Sequence, residues 1–151
     1  MNFDNKAKSW DADPMKVARA EAVAAGIRSG VHLNATMSGF EYGCGTGLLS
    51  FALCEDLQQI TLADSSSGML EVLQDKIKAG NHSNMLPVLL DLQVDALPSE
   101  RYDLIYSLMT FHHIPDTEAI LRKLYCLLET HGHLCIADLD SEDGSFHNKD
   151  F

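Results

Sequence analysis

The chain has 151 residues, 46% of them hydrophobic, which suits one globular domain, residues 1–151, with a core of its own. Its 22 acidic and 11 basic side chains leave a formal net charge of −11, a field that repels phosphate backbones and anionic lipid. A primary role on nucleic acid or on a membrane surface is therefore not expected. No apolar run approaches the roughly 20 residues of a membrane span, and the start "MNFDNKAKSWDADP" is polar throughout.

The first predicted element is a helix over "DADPMKVARAEAVAAGI", residues 11–27. Asp13 is placed to cap it, Pro14 fits its first turn, and Val17, Ala20, Ala24 and Ile27 share one face. Gly30 is expected beyond its end. "MSGFEY", residues 37–42, reads as a short strand, diluted by Ser38 and Gly39, that runs into "GCGTG". "LLSFALCEDL", residues 48–57, follows as a helix, and "QQITLAD", residues 58–64, as a clearer strand ending at Asp64. "SSGMLEVLQDKIKAG", residues 66–80, has Met69, Leu70, Leu73 and Ile77 in helical register and stops at Gly80. "NMLPVLLD", residues 84–91, is strand-like, and Pro87 inside it suggests an edge position. "YDLIYSLM", residues 102–109, has the continuous apolar centre of a strand covered on both faces. "DTEAILRKLYCLLE", residues 116–129, is a helix with Asp116 as its cap, Ile120, Leu124 and Leu127 on one stripe, and Gly132 as its stop. "HLCIAD", residues 133–138, is the last strand, and the polar tail 139–151 is expected to be irregular.

Strands alternating with helices at this spacing imply an α/β fold, a doubly wound, mostly parallel sheet with right-handed crossovers and helices on both faces. Ligands in such sheets bind at the carboxyl ends of the strands, where the strand order reverses. The glycine loop and Asp64 both lie at strand carboxyl ends, so the pattern places them in one cleft.

The loop "EYGCGTG" carries Gly43, Gly45 and Gly47 two residues after Glu41. A triphosphate-binding loop needs a Gly-Lys pair, which is absent. A dinucleotide loop needs GxGxxG, and the sixth position is Leu48 counted from Gly43 or Ser50 counted from Gly45. The remaining pattern is an acidic residue followed by alternate glycines, whose missing side chains let a ligand lie on the backbone while the carboxylate suits a cationic group. Asp64, 21 positions after Gly43, stands where an acid can accept from both ribose hydroxyls, and its charge disfavours a 2′-phosphate. Tight-turn, helix-cap and core roles remain open for the glycines, Asp64 and Met69 respectively.

"EYGCGTG", "LADSSSGML", "LLDLQVDALP" and "YDLIYSLMTFHHIPD", in that order, resemble the class I S-adenosylmethionine-dependent methyltransferases. The branch they resemble is the small-molecule one that includes the ubiquinone- and menaquinone-biosynthesis type, over residues 3–140. The resemblance implies a Rossmann-like fold, S-adenosylmethionine as cofactor with S-adenosylhomocysteine as product, and a small-molecule acceptor. Carried over position by position, Glu41 faces the methionyl amino group. Gly43, Cys44, Gly45 and Gly47 form the loop beneath the methionyl group and ribose. Asp64 takes the ribose hydroxyls, with Ser65 and Met69 beside the adenine pocket. Asp91 accepts from the adenine amine next to Leu92, and Ser107 ends the fourth strand near the reactive methyl. Trp10 matches an N-terminal aromatic that closes over the cofactor.

Methyl transfer from a sulfonium is a direct in-line displacement that asks the protein for alignment and desolvation, and for a base only if the acceptor must lose a proton. His112 and His113 are the candidates for that base, with a structural role as the alternative. His131, His133 and His147 are too scattered for a metal site, and no metal is expected. "SLMT" at residues 107–110 replaces the [ND]PP[YF] of nucleic-acid amino-methylating enzymes, and no Pro-Cys nucleophile of the cytosine-C5 type is present. Cys44, Cys54, Cys126 and Cys135 form no CxxC pair and are expected as reduced thiols in the cytoplasm. The family's closing antiparallel hairpin has no counterpart before Phe151, so a C-terminally truncated domain is expected. Its last strand would then be an open edge able to pair with a second copy, which a monodisperse monomer by light scattering would contradict. A non-catalytic cofactor-binding or interaction module is the alternative reading, and a nicotinamide-dependent oxidoreductase a third.

Overall fold

The computed structural model describes residues 7–138; the tail 139–151 and residues 1–6, which include the start of the resemblance, lie outside the described residues. A 3-10 helix at Ala7–Ala12 precedes α1 (Pro14–Gly30). Then come β1 (Ser38–Tyr42), α2 (Leu48–Leu53), β2 (Gln59–Asp64), α3 (Ser67–Gly80) and β3 (Met85–Leu89). The chain continues through β4 (Tyr102–Leu108), a short 3-10 turn at Phe111–His113, α4 (Thr117–Cys126) and β5 (Leu128–Ala137).

The caps expected at Asp13 and Asp116 form, and Ser66 adds one that the sequence reading did not name. Asp13 accepts from the Met15 N–H at 2.9 Å ahead of Pro14, Ser66 caps α3 through the Met69 N–H at 3.1 Å, and Asp116 caps α4 through the Ala119 N–H at 3.1 Å. Three boundaries differ from the sequence reading. Gly30 is the last residue of α1, and the chain leaves through an extended Val31 whose N–H still bonds the Ile27 carbonyl. α2 stops at Leu53, four residues early, because Arg28 reaches across from α1 to the Ala52 carbonyl and to Asp56, at 3.0 Å, and ties off its end. Gly132 does not end α4; it lies inside β5, which starts at Leu128. Leu127 is 1% exposed and its carbonyl accepts from the Tyr102 N–H at 2.7 Å, so the sheet captures the chain five residues before "HLCIAD". A register shift between Tyr102 and Leu104 absorbs the extra residues. There a Cβ on Gly132 would sit 2.9 Å from the Glu129 carbonyl oxygen, so the bulge needs the glycine.

The five strands form one sheet in the order β3-β2-β1-β4-β5, and every pairing is parallel. β3 is an edge, as Pro87 suggested. Side chains alternate across the sheet, except that the irregularity between Tyr102 and Leu104 turns Tyr102 to the Phe40 face. Ile60, Leu62, Leu104 and Tyr106 pack with Ala20, Ala24 and Ile27 of α1, with α2 and with Leu70 and Leu73 of α3. Phe40, Tyr42, Ala63 and Ile105 turn to the other face and pack with Ile120 and Leu124 of α4. The sheet is thus wound on both sides. Its order reverses between β1 and β4, and their carboxyl ends open a cleft there.

Candidate functional site

β1 delivers Glu41 and Tyr42 to opposite faces just before the chain turns. Glu41 points to the α2 face, is 2% exposed, and accepts from the Ser50 hydroxyl at 2.6 Å; that hydroxyl also lies 2.7 Å from the Tyr106 hydroxyl. Burial raises the Glu41 carboxyl to about 8, against the opposing pull of the Ser50 bond and with a push from the Asp64 charge. It is therefore largely protonated at neutral pH, which the reading of Glu41 as a carboxylate suited to a cationic group did not foresee. Tyr42 points to the other face, where its oxygen accepts from the Leu92 N–H at 2.9 Å and burial pushes its phenol up to about 12.

The three loop glycines all have positive φ, and their reasons differ. A Cβ on Gly43 would collide with Thr110, whose hydroxyl donates to the Gly43 carbonyl at 3.3 Å and locks the loop after β1 to the one after β4. A Cβ on Gly47 would lie 2.8 Å from Leu73, so this glycine is demanded by packing where α2 begins. On Gly45 a Cβ would meet only the Met69 sulfur at 3.9 Å and would otherwise occupy the cleft. Gly45 is thus the loop glycine whose missing side chain leaves the cleft open.

Asp64 ends β2 beside this loop. One carboxylate oxygen accepts from the Gly45 N–H at 2.7 Å and the other from the Ser66 N–H at 2.8 Å. Asp91, after β3, lines the same cleft and folds its own turn, its side chain accepting from the Gln93 N–H at 2.9 Å.

These residues enclose a cleft of about 300 Å³. Glu41, Gly43, Cys44, Gly45, Asp64 and Ser65 line it, with Met69 and Asp91. Gly47, Leu92 and Ser107 stand outside its wall. Leu92 is 0% exposed in the core under α4, and Ser107 donates to the Tyr42 carbonyl at 2.7 Å, tying β4 to β1. Sequence reasoning missed Tyr42, Leu90, Gln93, Met109 and Thr110, which also line the cleft; their neighbours in the quoted motifs were the only signal. Met109 carries a φ of 54°, a strained turn directly after β4. His112 and His113 reach the cleft from the next turn, with ring centroids 3.9 Å apart. Asp138, just past β5, holds His112 through Nδ1 at 2.8 Å and through its N–H at 3.2 Å.

The Ala7–Ala12 segment crosses the other rim. Trp10 lines the cleft with the Lys16 ammonium 3.6 Å from its ring centroid. Asp11 accepts from the Thr46 hydroxyl in the glycine loop and pairs with Lys76 at 2.5 Å, while Lys76 also donates to the Thr46 carbonyl at 2.8 Å. The strap and the loop are one hydrogen-bonded unit.

A doubly wound parallel sheet, an acid-flanked glycine loop at the switch point and an acid closing the second strand define a Rossmann-like nucleoside-binding domain. Residues 40–134 match the family described as a methyltransferase domain, and the chain belongs to it. It is 32% identical over 118 residues to an uncharacterised methyltransferase of Schizosaccharomyces pombe, covering 74% of this chain and 42% of that protein. It is 32% identical over 136 residues to the malonyl-[acyl-carrier protein] O-methyltransferase of Priestia megaterium, covering 87% of this chain and 47% of the relative. The chain thus spans less than half the length of these curated relatives. Its fold matches a SAM-dependent methyltransferase from Aquifex aeolicus with a TM-score of 0.75 at 20% identity, over 94% of this chain and 77% of that one. The resemblance of the four motifs to class I methyltransferases is borne out. Among the described residues no helix is long and apolar enough to cross a membrane.

Proposed function

We propose that this domain binds S-adenosylmethionine in the cleft and serves transfer of its methyl group to a small-molecule acceptor, leaving S-adenosylhomocysteine. The observation that carries the reading is Asp64, whose carboxylate is pinned to the Gly45 N–H at 2.7 Å with the open face of that glycine beside it. The residues present fit the cofactor: a carboxylate for ribose hydroxyls, a second one at Asp91 for an exocyclic amine, and the apolar Met69 between them. When bound, the cofactor supplies a methyl group already activated on a sulfonium, displaced in line by the acceptor's nucleophile.

The chain's own contribution is positioning and exclusion of water. Asp64 and the Gly43–Thr110 lock fix the floor of the site, and the strap carrying Trp10 narrows its rim. Glu41, held neutral by burial, would release its proton to solvent and pair as a carboxylate with a cationic amino group lying beside it. His112 has its Nδ1 held by Asp138 and its Nε2 buried, which favours the structural role for it, and the base for an acceptor that must lose a proton is left unassigned.

Parallel calorimetric titrations with S-adenosylmethionine, S-adenosylhomocysteine and NAD test the reading. Micromolar binding of the first two without NAD is expected. NAD binding, with neither sulfur compound bound by the folded protein, would replace it with the oxidoreductase alternative.

A further inference from the structure

The cleft's acidic lining is Glu41, Asp64 and Asp91, from the carboxyl ends of β1 and β2 and the turn after β3, together with Asp13 at the head of α1; its basic lining, Lys16 and Arg19, comes from α1. Lys16 is committed: it lies over the Trp10 ring and 3.8 Å from Asp13. Arg19, one turn further along the same helix face, is half-buried and makes no side-chain hydrogen bond or ion pair among the described residues. In a chain of net charge −11, an arginine at a cleft without a carboxylate partner is conspicuous, because acceptors for its fork are abundant elsewhere on the surface. A guanidinium offers two parallel donors matched to a carboxylate, and partial burial strengthens that pair relative to open solvent.

We infer that Arg19 is the seat for a carboxylate of the methyl acceptor, so that the acceptor class is an anionic small molecule. The inference rests on the reading of the cleft as a methyltransferase site. The acids of β1, β2 and the β3 turn suit the cationic and hydroxyl-bearing parts of the cofactor, leaving the α1 wall, with the His112 and His113 turn completing the cleft, to the acceptor. The cofactor carries a carboxylate of its own, and the two sources are separated by which ligand feels the substitution.

The test titrates malonate, with neutral malonamide as control, into the protein saturated with S-adenosylhomocysteine, for the wild type, Arg19→Gln and Arg19→Lys. The expected result is saturable malonate binding without malonamide binding. Arg19→Gln should weaken it about tenfold or more and Arg19→Lys by less, since the lysine keeps the charge but loses the fork. The affinity for S-adenosylhomocysteine should stay unchanged in both variants, which also reports that they are folded. Equal malonate binding by wild type and Arg19→Gln, or none by the wild type, would overturn the inference alone. A loss that falls on S-adenosylhomocysteine instead would assign Arg19 to the cofactor's own carboxylate and overturn it too. Failure of S-adenosylhomocysteine to bind the wild type would strike the cofactor reading first and remove this inference with it.

Discussion

Glu41 shows how far a single residue's chemistry depends on neighbours distant in the chain. In "FEY" it sits on a strand covered on both faces, so it must be buried, and Ser50 and Tyr106 are the groups that receive it. The folded protein holds its proton up to about pH 8, whereas an unfolded chain sheds it near its ordinary value of 4.5. This group's contribution to stability is therefore fully present below about pH 4.5 and is lost as the pH rises toward 8. Glu41→Gln keeps the neutral hydrogen-bonding form at every pH. Its stability relative to wild type in urea denaturation is expected to grow between about pH 5 and 8, by up to roughly 1.4 kcal/mol per pH unit. A pH-independent difference would mean that Glu41 is ionised in the folded protein. The acid itself was legible in the sequence, but its protonation state was not, because Ser50 and Tyr106 follow no local pattern with it. Ser107 and Leu92 illustrate the same limit: their strand and loop positions were read correctly, yet one hydroxyl and one N–H are spent on Tyr42 rather than presented to the cleft.

At the level of elements, all five strands and the four α-helices were legible from periodicity and caps, and Pro87 marked the β3 edge. The misplaced boundaries arose where a tertiary contact overrode local pattern: Arg28 on the end of α2, and Leu127 with Tyr102 at the start of β5. The strap had no sequence signal beyond Trp10. Its latch joins Asp11 to Thr46 and Lys76, residues separated by 35 positions or more. The Lys76–Asp11 side chains are only about 30% exposed (27% and 32%), so the pair is screened less than a surface one but far from fully buried. Lys76→Met, which takes the ammonium away from Asp11, Thr46 and the Phe51 ring, is expected to weaken S-adenosylhomocysteine binding by roughly threefold to tenfold, the loss of about 1 kcal/mol of hydrogen bonding. Trp10 is the only tryptophan, so its emission reports the strap, and a red shift on Lys76→Met is the accompanying expectation. Unchanged affinity and emission would show that the strap stays in place without the latch.

Across the whole molecule, the doubly wound order brings together groups scattered from Trp10 to His113 at one reversal of the sheet. That convergence follows from the topology, which is why the alternation of strands and helices was enough to place the glycine loop and Asp64 in one cleft. What alternation could not supply was the far wall, built by α1 and the turn after β4, because no motif specifies which helix face borders a cleft. The surface field is acidic, yet the local arrangement of carboxylates against Arg19 and Lys16 decides what the cleft receives. The central claim is that Asp64 and the open Gly45 backbone bind the cofactor. It is tested most directly by calorimetric titration of S-adenosylhomocysteine into the wild type and Asp64→Ala. The account expects micromolar binding to the wild type and a loss of about tenfold to a hundredfold in the variant, the range for hydrogen bonds to a charged group. Equal affinities for two folded proteins would contradict it.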